Sequence, residues 1–180
     1  MDQVMDRARA FARVAHGEQK RKYTGQPYVV HTDEVAGIVA AHGGTPEMIA
    51  AAHLHDVLED TPTTLDALVA EFGHDVADLV NALSDQVPMS AGNRKLRKQL
   101  ESDRLGACEA RAQTIKLADI VSNTRSIAER DPRFARVYLV EMRYLIDRLT
   151  SGDRRLWAEA DALVGKEAGM TDPIRANPTR

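Results

Sequence analysis

The sequence predicts an all-α fold. Apolar residues recur three and four positions apart along most of the chain, and helix-starting and helix-ending residues separate these periodic segments. No stretch alternates between apolar and polar residues as a half-buried strand does. With 180 residues, 43% of them hydrophobic, the chain is long enough to bury a substantial core. We therefore expect one helical domain over residues 1–167 and a flexible, proline-containing tail over residues 168–180.

The first elements follow from helix signals taken in chain order. Apolar residues at helical spacing indicate a first helix over residues 2–17, and a second helix around Val35 is stopped by Gly43-Gly44. The third starts at Thr45-Pro46-Glu47, where a capping hydroxyl precedes a proline in the first helical position and an acid that faces the helix dipole. We expect this third helix to continue through residues 53–56.

The same kinds of signal divide the rest of the chain. Thr63 or Thr64 caps a fourth helix, which ends before Gly73. Residues 85–93 are rich in Asp, Pro, Ser, Gly and Asn, and they are predicted to form the longest irregular connection. The remaining helices are predicted over residues 76–83, from 94 onward, over 109–129, after Asp131-Pro132 and after Asp153.

The segment 53–61, which reads HLHDVLEDT, concentrates imidazole and carboxylate groups within a short stretch. Adjacent His55 and Asp56 can share a metal ion, while Glu59 and Asp60 can handle the water that the metal activates. Buried charge of this density is costly unless it is paired or bound to metal. On one continuous helix, the i,i+4 spacing would put Glu59 over His55 and Asp60 over Asp56. The segment therefore predicts metal binding together with acid–base chemistry.

Two further groups are placed to complete such a site. His31 opens the second predicted helix, and Asp119 lies in the KLAD sequence of helix 109–129 with Asn123 one turn later. A polar Asp–Asn face on an otherwise apolar helix indicates a shared site. Mixed imidazole and carboxylate ligands suit Mn²⁺, Fe²⁺ or Zn²⁺ better than Ca²⁺. The pattern indicates a metal-dependent phosphohydrolase. The other histidines are interpreted as packed, surface or helix-end residues: His16, His42, His53 and His74.

Charge and composition limit the partners. The net charge of −3 argues against duplex nucleic acid, which usually requires a basic surface. Basic residues are nevertheless clustered at 20–22 and 94–98, which suits a small polyanion. No apolar run approaches the roughly 18 residues that span a bilayer, and the first residues are charged. A single cysteine, Cys108, excludes an internal disulfide. We expect a cytoplasmic protein without a membrane partner, and the oligomeric state stays open.

Four motifs resemble, in order, those of RelA/SpoT-type alarmone hydrolase domains. They are HGEQKRKYTGQPYVVH at 16–31, HLHDVLEDT at 53–61, Phe72-Gly73 followed by Val76, and KLAD followed by Asn123. The similarity runs from about residue 8 to 150, and 180 residues leave no room for a synthetase half, so the chain resembles the small stand-alone hydrolases. The resemblance implies an HD-domain helical bundle. It also implies Mn²⁺-dependent removal of the 3′-pyrophosphate from guanosine tetra- or pentaphosphate (ppGpp or pppGpp), which yields GDP or GTP.

The resemblance also implies a role for individual residues. The metal ligands would be His31, His55, Asp56 and Asp119. Glu59 and Asp60 match the family's catalytic acidic pair. The residues that match nucleotide-binding positions are Arg21, Lys22, Asn123 and, in looser alignment, Tyr138, together with Arg97 of the basic segment.

One departure from the family pattern keeps other functions open. Ile120 stands where the family commonly has a basic residue after the KLAD aspartate, so an HD-type phosphohydrolase acting on another nucleotide or phosphoester is an alternative. A sensor that binds an alarmone without cleaving it is a third hypothesis, which the presence of both Glu59 and Asp60 opposes. An RNA-binding role is opposed by the 4% aromatic content and the acidic balance.

Overall fold

A computed structural model of the chain describes residues 3–169, and within this range the predicted all-α class is confirmed because no strand occurs. A single antiparallel bridge between Lys20 and Pro27 closes the loop after the first helix. The α-helices are α1 (Gln3–His16), α2 (Val29–Ala41), α3 (Pro46–Leu54), α4 (Val57–Asp60), α5 (Leu65–Phe72), α6 (His74–Leu83), α7 (Arg94–Gly106), α8 (Ala110–Arg130), α9 (Pro132–Ile146) and α10 (Arg154–Glu167).

Helix α8 is the centre of the bundle. It packs against α2, α3, α6, α7, α9 and α10, and α3 is enclosed between α1, α2 and α6. Fully buried apolar residues such as Ile115, Leu117 and Val121 supply its contacts with these neighbours. Five of the twelve buried residues of α8 are nevertheless polar, and polar groups buried in this way require partners; they are Gln113, Thr114, Asp119, Ser122 and Thr124.

Side-chain caps fix where most of the predicted helices begin. Thr45 accepts a hydrogen bond from the N–H of Met48 with Pro46 in the first turn, and Thr64, rather than Thr63, caps α5. Gly73 has φ of 80°, a conformation that favours glycine, and it turns the chain from α5 into α6. The same capping contact opens α7, α9 and α10, where the accepting side chains are those of Asn93, Asp131 and Asp153.

The prediction of one continuous third helix through residues 53–56 is wrong. Helix α3 ends at Leu54, His55 and Asp56 form a turn, and α4 follows as a separate short helix. Side chains cause the break: His55 Nδ1 bonds the carbonyl oxygen of Ala52 at 2.8 Å, and Asp56 takes φ and ψ of −100° and −3°. This backbone conformation lies between the helical and extended regions.

A buried glycine sets the position of α8 against the loop before α10. A Cβ on Gly152 would lie 2.8 Å from Leu117 Cδ1 and 3.3 Å from backbone atoms of α8, so a larger residue would have to displace the Leu117 side chain and shift α8 by a few tenths of an ångström. The N–H of Ser151 donates to Gln113 Oε1 and the N–H of Asp153 to Thr114 Oγ1, each at 2.9 Å. These contacts fix the position of α8 and therefore of the polar residues that it contributes to the site.

The remaining expectations concern the connections and the chain end. Residues 85–93 are irregular as predicted, apart from a 3-10 turn at Met89–Ala91, but the prediction that they form the longest connection is wrong, because residues 17–28 between α1 and α2 form a longer one. In the described range no helix combines the length and hydrophobicity needed to cross a membrane. The expected tail begins beside the end of α10 at Glu167, and from residue 170 onward it lies outside the described residues.

Candidate metal centre

Two imidazoles and two carboxylates converge between α2, the α3–α4 turn and α8. His31 Nε2 lies 3.2 Å from Asp119 Oδ1, and His55 Nε2 lies 3.0 Å from Asp56 Oδ2. The cross distances are 3.7 Å from His31 Nε2 to Asp56 Oδ2 and 3.8 Å from His55 Nε2 to Asp119 Oδ1. The structure therefore brings together all four residues that the sequence predicts as metal ligands.

The break between α3 and α4 explains how neighbouring residues reach one point. On a continuous helix consecutive side chains would diverge by about 100°, whereas the turn directs both His55 and Asp56 inward. The bond from His55 Nδ1 to the Ala52 carbonyl, at 2.8 Å, leaves Nε2 facing the centre. On α2, His31 Nδ1 meets Ser122 Oγ at 3.1 Å, so its Nε2 faces the same point.

Both carboxylates are held by further side chains. The Tyr28 hydroxyl donates to Asp56 Oδ2 at 2.6 Å. Lys116 Nζ donates to Asp119 Oδ2 at 2.9 Å, and the Asn123 amide donates to Asp119 Oδ1 at 2.6 Å. Hydrogen bonds of this kind orient ligating carboxylates. Asn123 thus contacts Asp119, a predicted metal ligand, in addition to any contact that it makes with a nucleotide.

Lys116 is a site residue that the sequence reasoning missed. It lies three residues before Asp119, hence on the same face of α8, and its side chain is 23% exposed against 10% for Asp119. Burial alone would lower the pKa of Lys116, but the carboxylates of Asp119, Asp56 and Glu59 outweigh it and raise the pKa, so the ammonium stays charged. The spacing was the available signal, since an aspartate buried on an apolar helix needs a nearby cation.

The electrostatics of the cluster favour ionised carboxylates. Burial opposes ionisation of Asp56, but the His55 and His31 imidazoles lower the pKa of that carboxyl well below its usual range. Lys116, His31 and His55 do the same for Asp119. For His55, burial acts to lower the pKa, yet Asp56 and Asp119 outweigh it and raise the pKa to about 9.

The donor set fits a divalent transition metal. His55 Nε2 is buried and, among residues 3–169, finds no partner in hydrogen-bond geometry, although Asp56 lies close by. His31, His55 and Asp56 each offer a ligand atom within 4.8 Å of the others, and Asp119 Oδ1 adjoins them. Two imidazole nitrogens with two carboxylates suit Mn²⁺, Fe²⁺ or Zn²⁺. A divalent cation would replace the proton on His55 as the charge that holds the two carboxylates together.

Metal binding is therefore expected to release about one proton near neutral pH, because a histidine ligand must be deprotonated. The pKa of His55 at about 9 keeps the metal-free ring protonated at neutral pH. Apparent affinity should then rise with pH and level off above that pKa. Calorimetric titration of Mn²⁺ in two buffers with different ionisation enthalpies measures the released protons. Equal binding enthalpies in the two buffers would contradict the protonated state.

Glu59 and Asp60 follow the turn in α4 and lie at the rim of the centre. Glu59 Oε1 accepts a hydrogen bond from the N–H of Asp85 at 2.9 Å, and Asp60 Oδ2 accepts one from the Gln19 amide at 2.9 Å. Burial raises the pKa of Glu59, which the Asp85 N–H only partly offsets. A carboxyl with a raised pKa is better suited to exchange protons near neutral pH.

A histidine interpreted as peripheral is instead part of this arrangement. His16 is the last residue of α1, as expected for a helix-end position, but it is only 5% exposed. Its Nδ1 meets Gln19 Oε1 at 2.8 Å, and its ring packs on Tyr28 with centroids 4.7 Å apart. Gln19 and Tyr28 in turn contact Asp60 and Asp56. The loop after α1 therefore holds both Asp56 and Asp60 in place.

A cavity of about 280 Å³ opens beside Asp119 between α7, α8 and α9. Its walls combine aromatic residues, Phe134 and Tyr138, with charged residues that include Lys116 and Lys98. Tyr138 is buried, and both burial and the Asp119 carboxylate raise its pKa, so its hydroxyl stays protonated. Asn123 lines the same cavity. Two of the predicted nucleotide-binding residues thus lie where a ligand next to the metal centre would sit.

The other three predicted nucleotide-binding residues lie elsewhere around this region. Lys22 is exposed, with its ammonium 5.0 Å from the centroid of Tyr23 and 5.8 Å from that of Phe134, which lines the cavity. Arg97 contacts Met89 in an adjoining cavity, while its neighbours Arg94 and Lys98 line the cavity of Asp119.

Arg21 lies in a different environment from Lys22. Its guanidinium bonds Glu34 Oε2 and Ser126 Oγ, each at 2.9 Å, and its side chain is 10% exposed. It lines a cavity of about 460 Å³ between α2 and α8, separate from the one beside Asp119. The contacts of Arg21 are therefore with protein groups behind the metal centre.

Ile120, the departure that left the substrate open, belongs to the hydrophobic core. Its side chain is 1% exposed and does not line the cavity beside Asp119. A side chain after Asp119 turns about 100° away from it on a helix, and here that direction leads into the bundle. Ile120 therefore contributes to packing, and its effect on the choice of substrate stays a prediction.

The chain is similar to known alarmone hydrolases in sequence and in structure. The HD-domain family profile matches residues 8–143. A guanosine-3′,5′-bis(diphosphate) 3′-pyrophosphohydrolase of Aquifex aeolicus is 37% identical over 123 residues, which are 68% of this chain and 18% of that protein. The corresponding enzyme MESH1 of Xenopus tropicalis is 34% identical over 125 residues, 68% of each chain.

A solved structure shares nearly the whole fold. It is described as "A metazoan ortholog of SpoT hydrolyzes ppGpp and plays a role in starvation responses", and it has a TM-score of 0.83 at 26% identity, covering 94% of this chain and 98% of that one. The chain spans only about a fifth of the longer relatives such as that of Aquifex aeolicus, but two thirds of MESH1. The profile match and the MESH1 similarity show that the chain belongs to the HD-domain family, in its RelA/SpoT-type alarmone hydrolase branch.

Proposed function

We propose that this protein hydrolyses the 3′-pyrophosphate of ppGpp and pppGpp, giving GDP or GTP and pyrophosphate, in the cytoplasm. The observation that carries the proposal is the convergence of two imidazoles and two carboxylates next to a cavity lined by both aromatic and charged residues. Aromatic and apolar walls suit a purine base, and the cations in the same lining suit phosphates. The names of the relatives, including the similarly sized MESH1, support this substrate.

The metal would be Mn²⁺ or another divalent transition ion, held by His31, His55, Asp56 and Asp119. Such an ion supplies a Lewis acid that lowers the pKa of a bound water from about 15.7 towards about 7. The chain's own contribution is to direct both imidazole Nε2 atoms towards the ion and to keep both carboxylates in place. The Nδ1 contacts of His55 and His31 do the first. The hydrogen bonds from Tyr28, Lys116 and Asn123 do the second.

The proposed reaction is an attack of water on the phosphorus joined to the ribose 3′-oxygen. A bond forms between the water oxygen and phosphorus, the bond from phosphorus to the 3′-oxygen breaks, and the 3′-oxygen gains a proton. Glu59 takes the proton that the water loses, and the protonated Glu59 then gives up this proton, which is the one that the 3′-oxygen gains. Asp60, held by the Gln19 amide at 2.9 Å, positions the same water.

Cations that line the cavity would bind the phosphates. Lys98 pairs with Asp85 at 3.0 Å, and with exposures of 36% and 51% this ion pair contributes little free energy. A phosphate can therefore take the place of Asp85. Arg94 makes two hydrogen bonds of 2.8 Å to Glu141, which is only 13% exposed, so Arg94 would meet a phosphate while it keeps this partner.

The remaining nucleotide contacts are proposals of unequal support. Asn123 and Tyr138 line the cavity, and Lys22 lies over Phe134 at its wall, so all three are within reach of a ligand there. Arg97 faces the adjoining cavity, where it would meet a ligand only if that ligand extended beyond Arg94. Arg21 remains a prediction from the resemblance alone, since its guanidinium contacts Glu34.

The test is turnover of ppGpp by the purified protein with Mn²⁺, with GDP and pyrophosphate quantified. We expect both products in equal amounts and none after removal of the metal with a chelator. A folded, metal-loaded protein that cleaves a different phosphorylated nucleotide would exclude ppGpp as the substrate. Tight ppGpp binding without turnover would instead indicate a sensor.

A further inference from the structure

We propose that Ser122, Glu34 and Arg21 form a hydrogen-bonded chain behind His31 that fixes this ligand for metal binding. These three are positioning residues, because none of them is among the four predicted metal ligands. The chain runs from His31 Nδ1 to Ser122 Oγ at 3.1 Å, from Ser122 to Glu34 Oε2 at 2.8 Å, and from Glu34 to Arg21 Nη1 at 2.9 Å. The inference rests on the proposed metal centre but not on the identity of the substrate.

The direction of each hydrogen bond follows from the donors available. A carboxylate only accepts, so the single hydroxyl proton of Ser122 must go to Glu34. Ser122 Oγ is then left as an acceptor for His31, which requires the proton of the neutral ring to be on Nδ1. Once a metal replaces the proton between Nε2 and Asp119 Oδ1, which lie 3.2 Å apart, Nε2 would carry the lone pair that binds it. The chain therefore selects the tautomer that binds metal.

Glu34 is the residue in this chain that most needs support. Its side chain is 47% exposed at the wall of the 460 Å³ cavity between α2 and α8, whereas His31 is 3% exposed. Water at such a carboxylate would compete with the Ser122 hydroxyl. Arg21, which is 10% exposed, covers Glu34 from the loop side and neutralises its charge.

Arg21 is itself held by the backbone of its loop. Its N–H donates to the carbonyl of Gln26 at 2.8 Å, and its carbonyl accepts from the N–H of Gly25 at 3.0 Å. Gly25 has φ of 70°, a left-handed conformation that closes this loop. The second guanidinium nitrogen bonds Ser126 Oγ on α8 at 2.9 Å. Arg21 therefore connects the basic loop to His31 through Glu34 and Ser122. Lys22 faces the other way, towards Phe134.

The chain offers a matched pair of substitutions on α8. Ser122→Ala removes the hydroxyl that contacts both His31 and Glu34, whereas Ser126→Ala removes one that contacts Arg21 and its own helix backbone. The probe is Mn²⁺ alone, with free Mn²⁺ followed by electron paramagnetic resonance. We expect the Kd for Mn²⁺ to rise about tenfold or more in Ser122→Ala, within the about 10–100-fold range for loss of an outer partner. Ser126→Ala keeps the bonds that join His31, Ser122, Glu34 and Arg21 and loses only one outer contact of Arg21, so its Kd should rise far less than that of Ser122→Ala.

Two further variants separate positioning from general damage to the fold. Ser122→Thr retains the hydroxyl and should restore Mn²⁺ affinity, and Glu34→Gln, which loses the charge that Arg21 binds, should weaken it. In the Zn²⁺-loaded protein, the nitrogen-15 spectrum of His31 should show a protonated Nδ1 that becomes exchange-broadened in Ser122→Ala.

Equal Kd values for Ser122→Ala and Ser126→Ala in folded proteins would overturn the proposal, as would failure of Ser122→Thr to restore binding. The measurement uses no nucleotide. A protein that shows the expected Mn²⁺ pattern but does not cleave ppGpp would leave this inference standing and remove the proposed function.

Discussion

Replacing Asp119 by alanine is expected to abolish Mn²⁺ binding and with it the hydrolysis of ppGpp. Asp119 Oδ1 is the carboxylate oxygen that lies nearest to His31 Nε2, at 3.2 Å, and it also approaches His55 Nε2 at 3.8 Å. Its removal leaves one carboxylate instead of two for a divalent ion. The Kd for Mn²⁺ should therefore rise by more than the about 10–100-fold that loss of an outer partner costs.

The same substitution has a second consequence, because Lys116 loses its partner. The Lys116 ammonium donates to Asp119 Oδ2 at 2.9 Å and is largely buried. Removing one member of a buried ion pair costs about 3–5 kcal/mol in the free energy of unfolding. Asp119→Asn is the companion variant, since its side-chain carbonyl still accepts from Lys116 while its charge is gone. It should fold better than Asp119→Ala and yet bind Mn²⁺ weakly.

A surface aspartate supplies the control. Asp75 lies on α6, away from the metal centre, and is 53% exposed. Its carboxylate pairs with the Arg111 guanidinium at 2.8 Å. Asp75→Ala should lower the free energy of unfolding by at most about 1 kcal/mol and leave Mn²⁺ binding unchanged. The measurements are Mn²⁺ titration and urea denaturation of all three variants. Undiminished Mn²⁺ affinity in folded Asp119→Asn would remove Asp119 from the ligand set.

The helices were predictable because their signals are local. Thr45, Asn93 and Asp131 cap the backbone within three residues of their own position, so the sequence alone indicates where α3, α7 and α9 begin. The end of α3 was not predictable, because nothing in the sequence 53–61 forbids a continuous helix. At the turn, Asp56 accepts a hydrogen bond from Tyr28, 28 residues away, and the segment itself does not reveal this partner. Without that turn, His55 and Asp56 would point in different directions.

The sequence reveals the predicted metal ligands more readily than the residues that hold those ligands in place. The four predicted ligands have the residue types that a metal requires, and the family motifs indicate their positions. Their supports are ordinary residues whose roles arise only from tertiary contacts. Arg21 meets Ser126 across 105 positions, and Ser122 meets Glu34 across 88. From the sequence alone, a basic residue in a loop can be interpreted either as a phosphate-binding residue or as one that bonds other protein side chains.

Glu59→Gln is expected to retain Mn²⁺ and to lose turnover. The amide oxygen can still accept the hydrogen bond from the N–H of Asp85, which the carboxylate now accepts at 2.9 Å, so the side chain keeps its place. None of the close approaches within the metal cluster involves Glu59. What the substitution removes is the ability to take a proton from water, and loss of a general base costs about 10²–10⁴-fold in rate. Unchanged Mn²⁺ affinity with kcat reduced to this extent is the expected result.

The pH profile gives a readout that damage to the fold would not produce. Burial raises the pKa of Glu59, and a general base works only when deprotonated, so kcat of the unchanged protein should fall as the pH drops through that pKa. In Glu59→Gln this acidic limb should disappear from the residual activity. Asp60→Asn is the comparison: its carboxylate accepts from Gln19 and lies next in sequence. If Asp60→Asn loses the acidic limb while Glu59→Gln keeps both the limb and full kcat, the base is Asp60 and the assignment to Glu59 is wrong.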